Sequence, residues 1–145
     1  MKILMILLLL TSCANQGLRY ESNTGINELE EVISIVKVYC KKDRKITFSS
    51  MPEQLKTYYP KEHIGHLTYI NKEPLIEINI TAYRRLDIDE RKLFLFHEIG
   101  HSFGLLHSDG IMHPFLKEIK DPNYKEYFKK IETACKSKLE TMLNY

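Results

Sequence analysis

The chain has 145 residues, 43% of them hydrophobic and 28% charged, with 21 Lys and Arg set against 19 Asp and Glu for a formal net charge of +2. That length suits one domain with a modest core, and that composition excludes a disordered chain. The small net charge, with no basic run interleaved with aromatics, excludes nucleic acid as a partner.

Met1-Lys2 precedes a short apolar run from Ile3 to Leu10. A positive start and a short apolar stretch read as a secretory signal over residues 1–12. The run is too short for a spanning helix, which needs about 20 apolar residues. Leu10-Thr11-Ser12-Cys13 resembles the bacterial lipobox, which implies cleavage before Cys13 and lipid modification of that residue. An ordinary signal cut near Ala14 is the alternative. On the lipobox reading the protein is exported to the cell envelope and tethered to a membrane by its lipid. Ala14, rather than Asp, favours the outer membrane if the source is Gram-negative. Residues 13–24 then read as a polar tether, with an edge strand in part of it as the lesser alternative, and 25–145 as the folded domain.

Thr24 can cap a helix running to about Cys40, since Ile26, Leu29, Val32, Ile33, Val36 and Cys40 recur at three- and four-residue steps. Glu28, Glu30 and Glu31 lie near its start, where the helix dipole favours negative charge. Lys45 to Ser50 alternates and predicts a strand, and residues 51–60, with two prolines, a loop. Glu62 to Asn71 and Pro74 to Thr81 predict two strands around a turn at Asn71-Lys72-Glu73. Ile76, Ile78 and Ile80 would share one face of the second.

Asp87, with Glu90 three residues on, predicts a capping box at the start of a long helix. Leu93, Phe96, Gly100 and Phe103 supply its packing contacts. On this helix lies His97-Glu98-Ile99-Gly100-His101, which places two imidazoles one turn apart on one face. Gly104 tolerates positive φ, so the helix can end there and the chain can bring His107 to the same ion. Three neutral imidazoles with one open position make a catalytic zinc arrangement, whereas structural sites are closed by four protein ligands. Imidazole also suits copper, nickel and cobalt. Beyond it, Asp121-Pro122 starts a final helix. Its apolar stripe comprises Tyr124, Tyr127, Phe128, Ile131, Cys135, Leu139 and Met142.

The run from His97 to Met112 resembles the metzincin signature H-E-x-x-H-x-x-G-x-x-H with its Met-turn. Ser108 after the third histidine, and Pro114 two residues after Met112, are matrixin-like. The short gap from His107 to Met112 departs from that group, as does the lack of acidic calcium loops. The resemblance implies an α+β zincin-like fold: a small twisted mixed sheet, a backing helix, an active-site helix, and a C-terminal helix after the Met-turn. It implies one catalytic Zn2+ on His97, His101 and His107, with Glu98 as general base towards a water held on the metal. It implies a metallopeptidase acting on extended peptide or protein, laid along an antiparallel edge strand at Ile64 to Ile70. His113, Pro114 and Phe115, with Leu116, would wall the pocket for the side chain after the scissile bond.

Some matrixins hold a second, structural zinc near the positions of His63 and His66, though two edge histidines without a carboxylate-rich loop are the simpler reading. With Cys13 lipidated, Cys40 and Cys135 remain as a pair for an oxidising compartment, on the apolar faces of their helices. Astacins similarly tie their upper subdomain to the C-terminal helix, while two buried thiols are the alternative. A monomer is expected. A cell-wall peptide hydrolase of the same chemistry, or a non-catalytic metal-binding envelope lipoprotein, are the competing functions.

Overall fold

The computed structural model describes residues 17–59 and 63–137, so the signal, Cys13, Leu139 and Met142 lie outside the described residues. The fold is α+β, with one four-stranded mixed sheet in the order β1-β2-β4-β3. The strands are β1 (Leu18–Ser22), β2 (Arg44–Ser50), β3 (Gly65–Ile70) and β4 (Glu73–Ile78). β1, β2 and β4 run parallel, and β3 pairs antiparallel with β4 along the edge. The β3–β4 hairpin closes through Asn71 and Lys72, both at positive φ, as a two-residue turn that matches strand twist requires.

The helices are α1 (Glu28–Tyr39), α2 (Glu53–Lys56), α3 (Ile80–Tyr83), α4 (Ile88–Ser102) and α5 (Tyr124–Lys136). Alternation along the strands sends Ile46, Phe48, Ile76 and Ile78 into one fully buried layer. α1 adds Leu29, Val32, Ile33 and Val36, and α4 adds Leu95 and Ile99. Cys40, the C-cap of α1, is disulfide-bonded to Cys135 in the last turn of α5, with Cα atoms 5.5 Å apart. The final helix is thereby fastened to the backing helix. Among the described residues, no helix is long and apolar enough to cross a membrane.

Several boundaries differ from expectation. The tether assigned to residues 13–24 contains β1, so the folded body begins before residue 25. Leu18 is fully buried, and Tyr20 packs edge-on to Phe48 at 6.3 Å. A five-residue stretch with a single buried apolar position carries no readable period; it is a strand because β2 offers a parallel partner and α1 covers it. Helix α1 is preceded by Asn27 rather than capped by Thr24. The Thr24 hydroxyl instead meets Ser22 Oγ at 2.7 Å and accepts from Ile26 N–H. Residues 51–60 include the short α2. β4 stops at Ile78, because Asn79 Oδ1 accepts from Ala82 N–H at 3.2 Å and starts α3. Ile80 therefore lies in a helical turn, off the strand face.

Candidate metal centre

The site is built on the second half of α4 and the turn beyond it. The helix starts at the expected capping box: Asp87 Oδ1 accepts from Glu90 N–H at 2.9 Å, and Glu90 Oε2 from Asp87 N–H at 3.1 Å. At the other end Gly104 sits at φ 81°, where an L side chain is strained. Its N–H donates to His101 O at 2.8 Å, and Leu105 N–H donates to Gly100 O at 3.0 Å. Those two bonds define a Schellman stop. The reversal returns the chain so that His107 faces the helix.

The three imidazoles converge through one kind of atom. His101 Nε2 lies 2.9 Å from His97 Nε2 and 3.1 Å from His107 Nε2. Their other nitrogens are held apart from this point: His97 Nδ1 is 2.8 Å from Ile111 O, and His101 Nδ1 is 2.8 Å from Leu105 O. A carbonyl only accepts, so in both rings Nδ1 carries the hydrogen and a neutral ring presents a bare lone pair at Nε2. Lone pairs facing each other at such distances repel unless a cation lies between them. Tetrahedral ligands at about 2.0–2.1 Å from a zinc are about 3.3 Å apart, a few tenths of an ångström beyond these separations. The donor set therefore fits a metal ion, with backbone carbonyls setting tautomer and ring orientation. Among the described residues, these three form the group able to hold an ion. His97 is buried and His107 exposed, so the point of convergence is reached from solvent on one side.

Burial lowers the pKa of His97 to about 4, against a smaller opposing effect of its bond to Ile111 O. Burial, with His107 nearby, also lowers that of His101. Both rings are thus in the neutral form that a metal requires. Glu98 is 7% exposed, and burial pushes its carboxyl up to about 7. It lies against Gly65 at the start of β3, where a Cβ would stand 3.0 Å from Glu98 Cδ and 2.5 Å from Phe94 Cζ.

Met112 ends a 3-10 turn, Gly110–Met112, and is buried beneath the helix. A Cβ on Gly100 would come 2.5 Å from its sulfur. The turn is held by Ile111 N–H donating to Pro122 O at 3.1 Å, and its Ile111 carbonyl in turn orients His97.

Of the other expected residues, His113 is half-buried and near enough to His97 for its charge to act on that ring. His113 Nδ1 accepts from Phe115 N–H at 3.2 Å, and its Nε2 lies 3.7 Å from Glu118. Pro114 and Phe115 are exposed. His66 Nδ1 lies 3.1 Å from the Tyr59 hydroxyl, and the Tyr59 ring stacks on His63 at 4.2 Å.

Four supporting features were not legible as functional in the sequence. Gly65 gives Glu98 its space; a glycine opening a strand is the signal that could have found it. Arg44, on β2, donates through Nη2 to Ser102 O, and its guanidinium lies 4.4 Å over the Phe103 ring, so it caps the C-terminus of α4. The buried Tyr127 hydroxyl donates to Phe96 O at 2.5 Å, next to His97. The carbonyls of Leu105 and Ile111 carry no side-chain signal at all. No family model, curated protein or solved structure matches the chain.

Proposed function

We propose that the protein is a zinc-dependent endopeptidase of metzincin type, cleaving extended polypeptide, and that it works in the cell envelope on a lipid anchor at Cys13. The observation that supports the activity is the convergence of three Nε2 atoms, with the buried carboxyl of Glu98 on the same helix, next in the chain to His97. The disulfide between Cys40 and Cys135 supports an oxidising compartment.

His97, His101 and His107 would hold the zinc. When bound, zinc lowers the pKa of water to about 7 and polarises a carbonyl as a Lewis acid. Glu98, with its carboxyl near neutrality, takes a proton from the attacking water and later gives it to the departing amine. Ile111 O and Leu105 O keep His97 and His101 from rotating during turnover. The outer edge of β3 offers unpaired backbone groups to an extended peptide, which would add as a further strand. Gly65 keeps that edge close to Glu98.

Digestion of a peptide library by zinc-loaded wild type and Glu98→Ala tests the reading. Wild type should cleave, and the variant should lose about 100-fold or more in rate while retaining one zinc per chain. His107→Ala should retain less zinc. Equal inertness of both proteins with zinc bound would remove the enzyme reading. Cleavage of cell-wall peptides alone would move the substrate to the wall.

A further inference from the structure

A second polar site lies at the end of β4 and ahead of β3. A cavity of about 310 Å³ is lined by residues that include Glu53, Lys56, Tyr59, His63, Asn79 and Arg85. Its chemistry is that of donors. Asn79 Oδ1 is used in capping α3, which leaves the two Nδ2 hydrogens to donate. His63 Nε2 is buried with no hydrogen-bond partner among the described residues, and in the tautomer that carries its hydrogen there it is one more donor. Glu53 holds Lys56 at 2.5 Å, so that pair is neutral. Arg85 lines the cavity with no ion pair among the described residues. The cavity is thus lined by a guanidinium with no ion pair among the described residues, an amide with both hydrogens to donate, and an imidazole that donates in its Nε2–H tautomer. A planar, two-oxygen acceptor satisfies such a set best, since Arg presents its N–H groups as a fork matched to carboxylate.

The position of the cavity relates it to the histidine cluster. His63 precedes Gly65 by two residues, at most about 7 Å of extended chain. Gly65 is the residue that touches Glu98. Tyr59, which also lines the cavity, is bonded to His66 on β3. A peptide laid along β3 with its scissile bond at Glu98 would pass this cavity a few residues from the bond.

We propose that the cavity is a subsite for a carboxylate on the substrate, either an acidic side chain or a free chain end, bound by Arg85, His63 and Asn79. Assignment of that carboxylate to a substrate rests on the peptidase reading above; the cavity as a carboxylate site does not. The protein would then prefer peptides bearing a negative charge a few positions from the bond that breaks.

The test uses fluorescein-labelled peptides of one length: one with an internal Asp and an amidated end, one with Asn and a free end, and one with Asn and an amidated end. Their binding to zinc-loaded Glu98→Gln protein is read by fluorescence polarisation, and their cleavage by wild type is measured separately. One of the charged peptides should bind about tenfold or more tighter than the neutral one, and which one does so identifies the source of the carboxylate. Adding Arg85→Gln should erase the difference, and adding Arg85→Glu should transfer the preference to a Lys peptide, which also shows that the charge-reversed protein is folded. Equal binding of all three peptides, or a preference that survives Arg85→Gln, overturns the proposal. Charge-dependent binding without cleavage by wild type would leave the carboxylate site standing and remove the peptidase. Cleavage indifferent to charge would do the reverse.

Discussion

At the scale of single residues, the site depends on side chains whose surroundings oppose their ordinary chemistry. Glu98 is a carboxyl in a dry position, raised from the ordinary 4.5 to about 7 by burial. The unfolded chain loses this proton near pH 4.5, the folded chain near 7, so the carboxylate destabilises the metal-free fold as pH rises through that window. At 1.36 kcal/mol per pKa unit the cost approaches about 3 kcal/mol. Metal-free Glu98→Gln should therefore be more stable than metal-free wild type at pH 8, with the gap closing below pH 4.5; denaturant titrations at both pH values measure it. Gly65 makes a different demand. A methyl there must displace the buried Phe94 ring or Glu98, so Gly65→Ala should cost about 1–3 kcal/mol. It should also lower kcat/KM while one zinc is kept, and metal analysis beside the kinetics separates the two effects. Loss of zinc in proportion to activity would place Gly65 in support of the ligands instead.

At the scale of elements, α4 is legible from end to end because its signals are local. Asp87 and Glu90 stop it at one end and Gly104 at the other, and the two histidines lie between them at helical spacing. Gly104→Ala forces an L side chain into the left-handed region, at a cost of about 1–2 kcal/mol. It should destabilise the fold by that amount and weaken zinc retention, because the reversal carries His107. Leu106→Ala, at an 80% exposed position in the same turn, should change stability by no more than about 0.5 kcal/mol. Equal effects of the two substitutions on zinc would mean that the turn does not position the third ligand. The strands were less legible. β2 and the β3–β4 turn were readable from alternation and from Asn71-Lys72. β1 was not, since a short parallel edge strand is defined by its neighbour rather than by its own period.

At the scale of the whole molecule, the sheet, the backing helix and the final helix hold α4 from three sides. Arg44 reaches the end of α4 from β2, Tyr127 reaches Phe96 from α5, and the disulfide joins α1 to α5. The bridge spans a sequence separation of 95 residues. Chain-entropy reasoning gives about 4–5 kcal/mol for a loop of this size, with removal of native bridges costing about 2–5 kcal/mol. Cys40→Ser with Cys135→Ser should lower unfolding free energy within that range and make stability insensitive to reductant, whereas wild type should be weakened by it. Indifference of wild type to reductant would show that the bridge does not contribute.

The sequence alone determined the metal-ligand candidates, the carboxyl beside them that is proposed as the base, and both ends of their helix. Each follows from contacts within a few residues, which helical spacing and capping chemistry encode directly. Only the tertiary structure decided that the three Nε2 atoms meet, because the carbonyls of Ile111 and Leu105 orient the rings of His97 and His101 and the reversal at Gly104 returns His107 to them. It alone decided that Glu98 is dry, that Gly65 lies against it, and that residues far apart in the chain enclose a cavity around His63 and Arg85. Burial and long-range approach are properties of packing between elements, and no local pattern of residues records them.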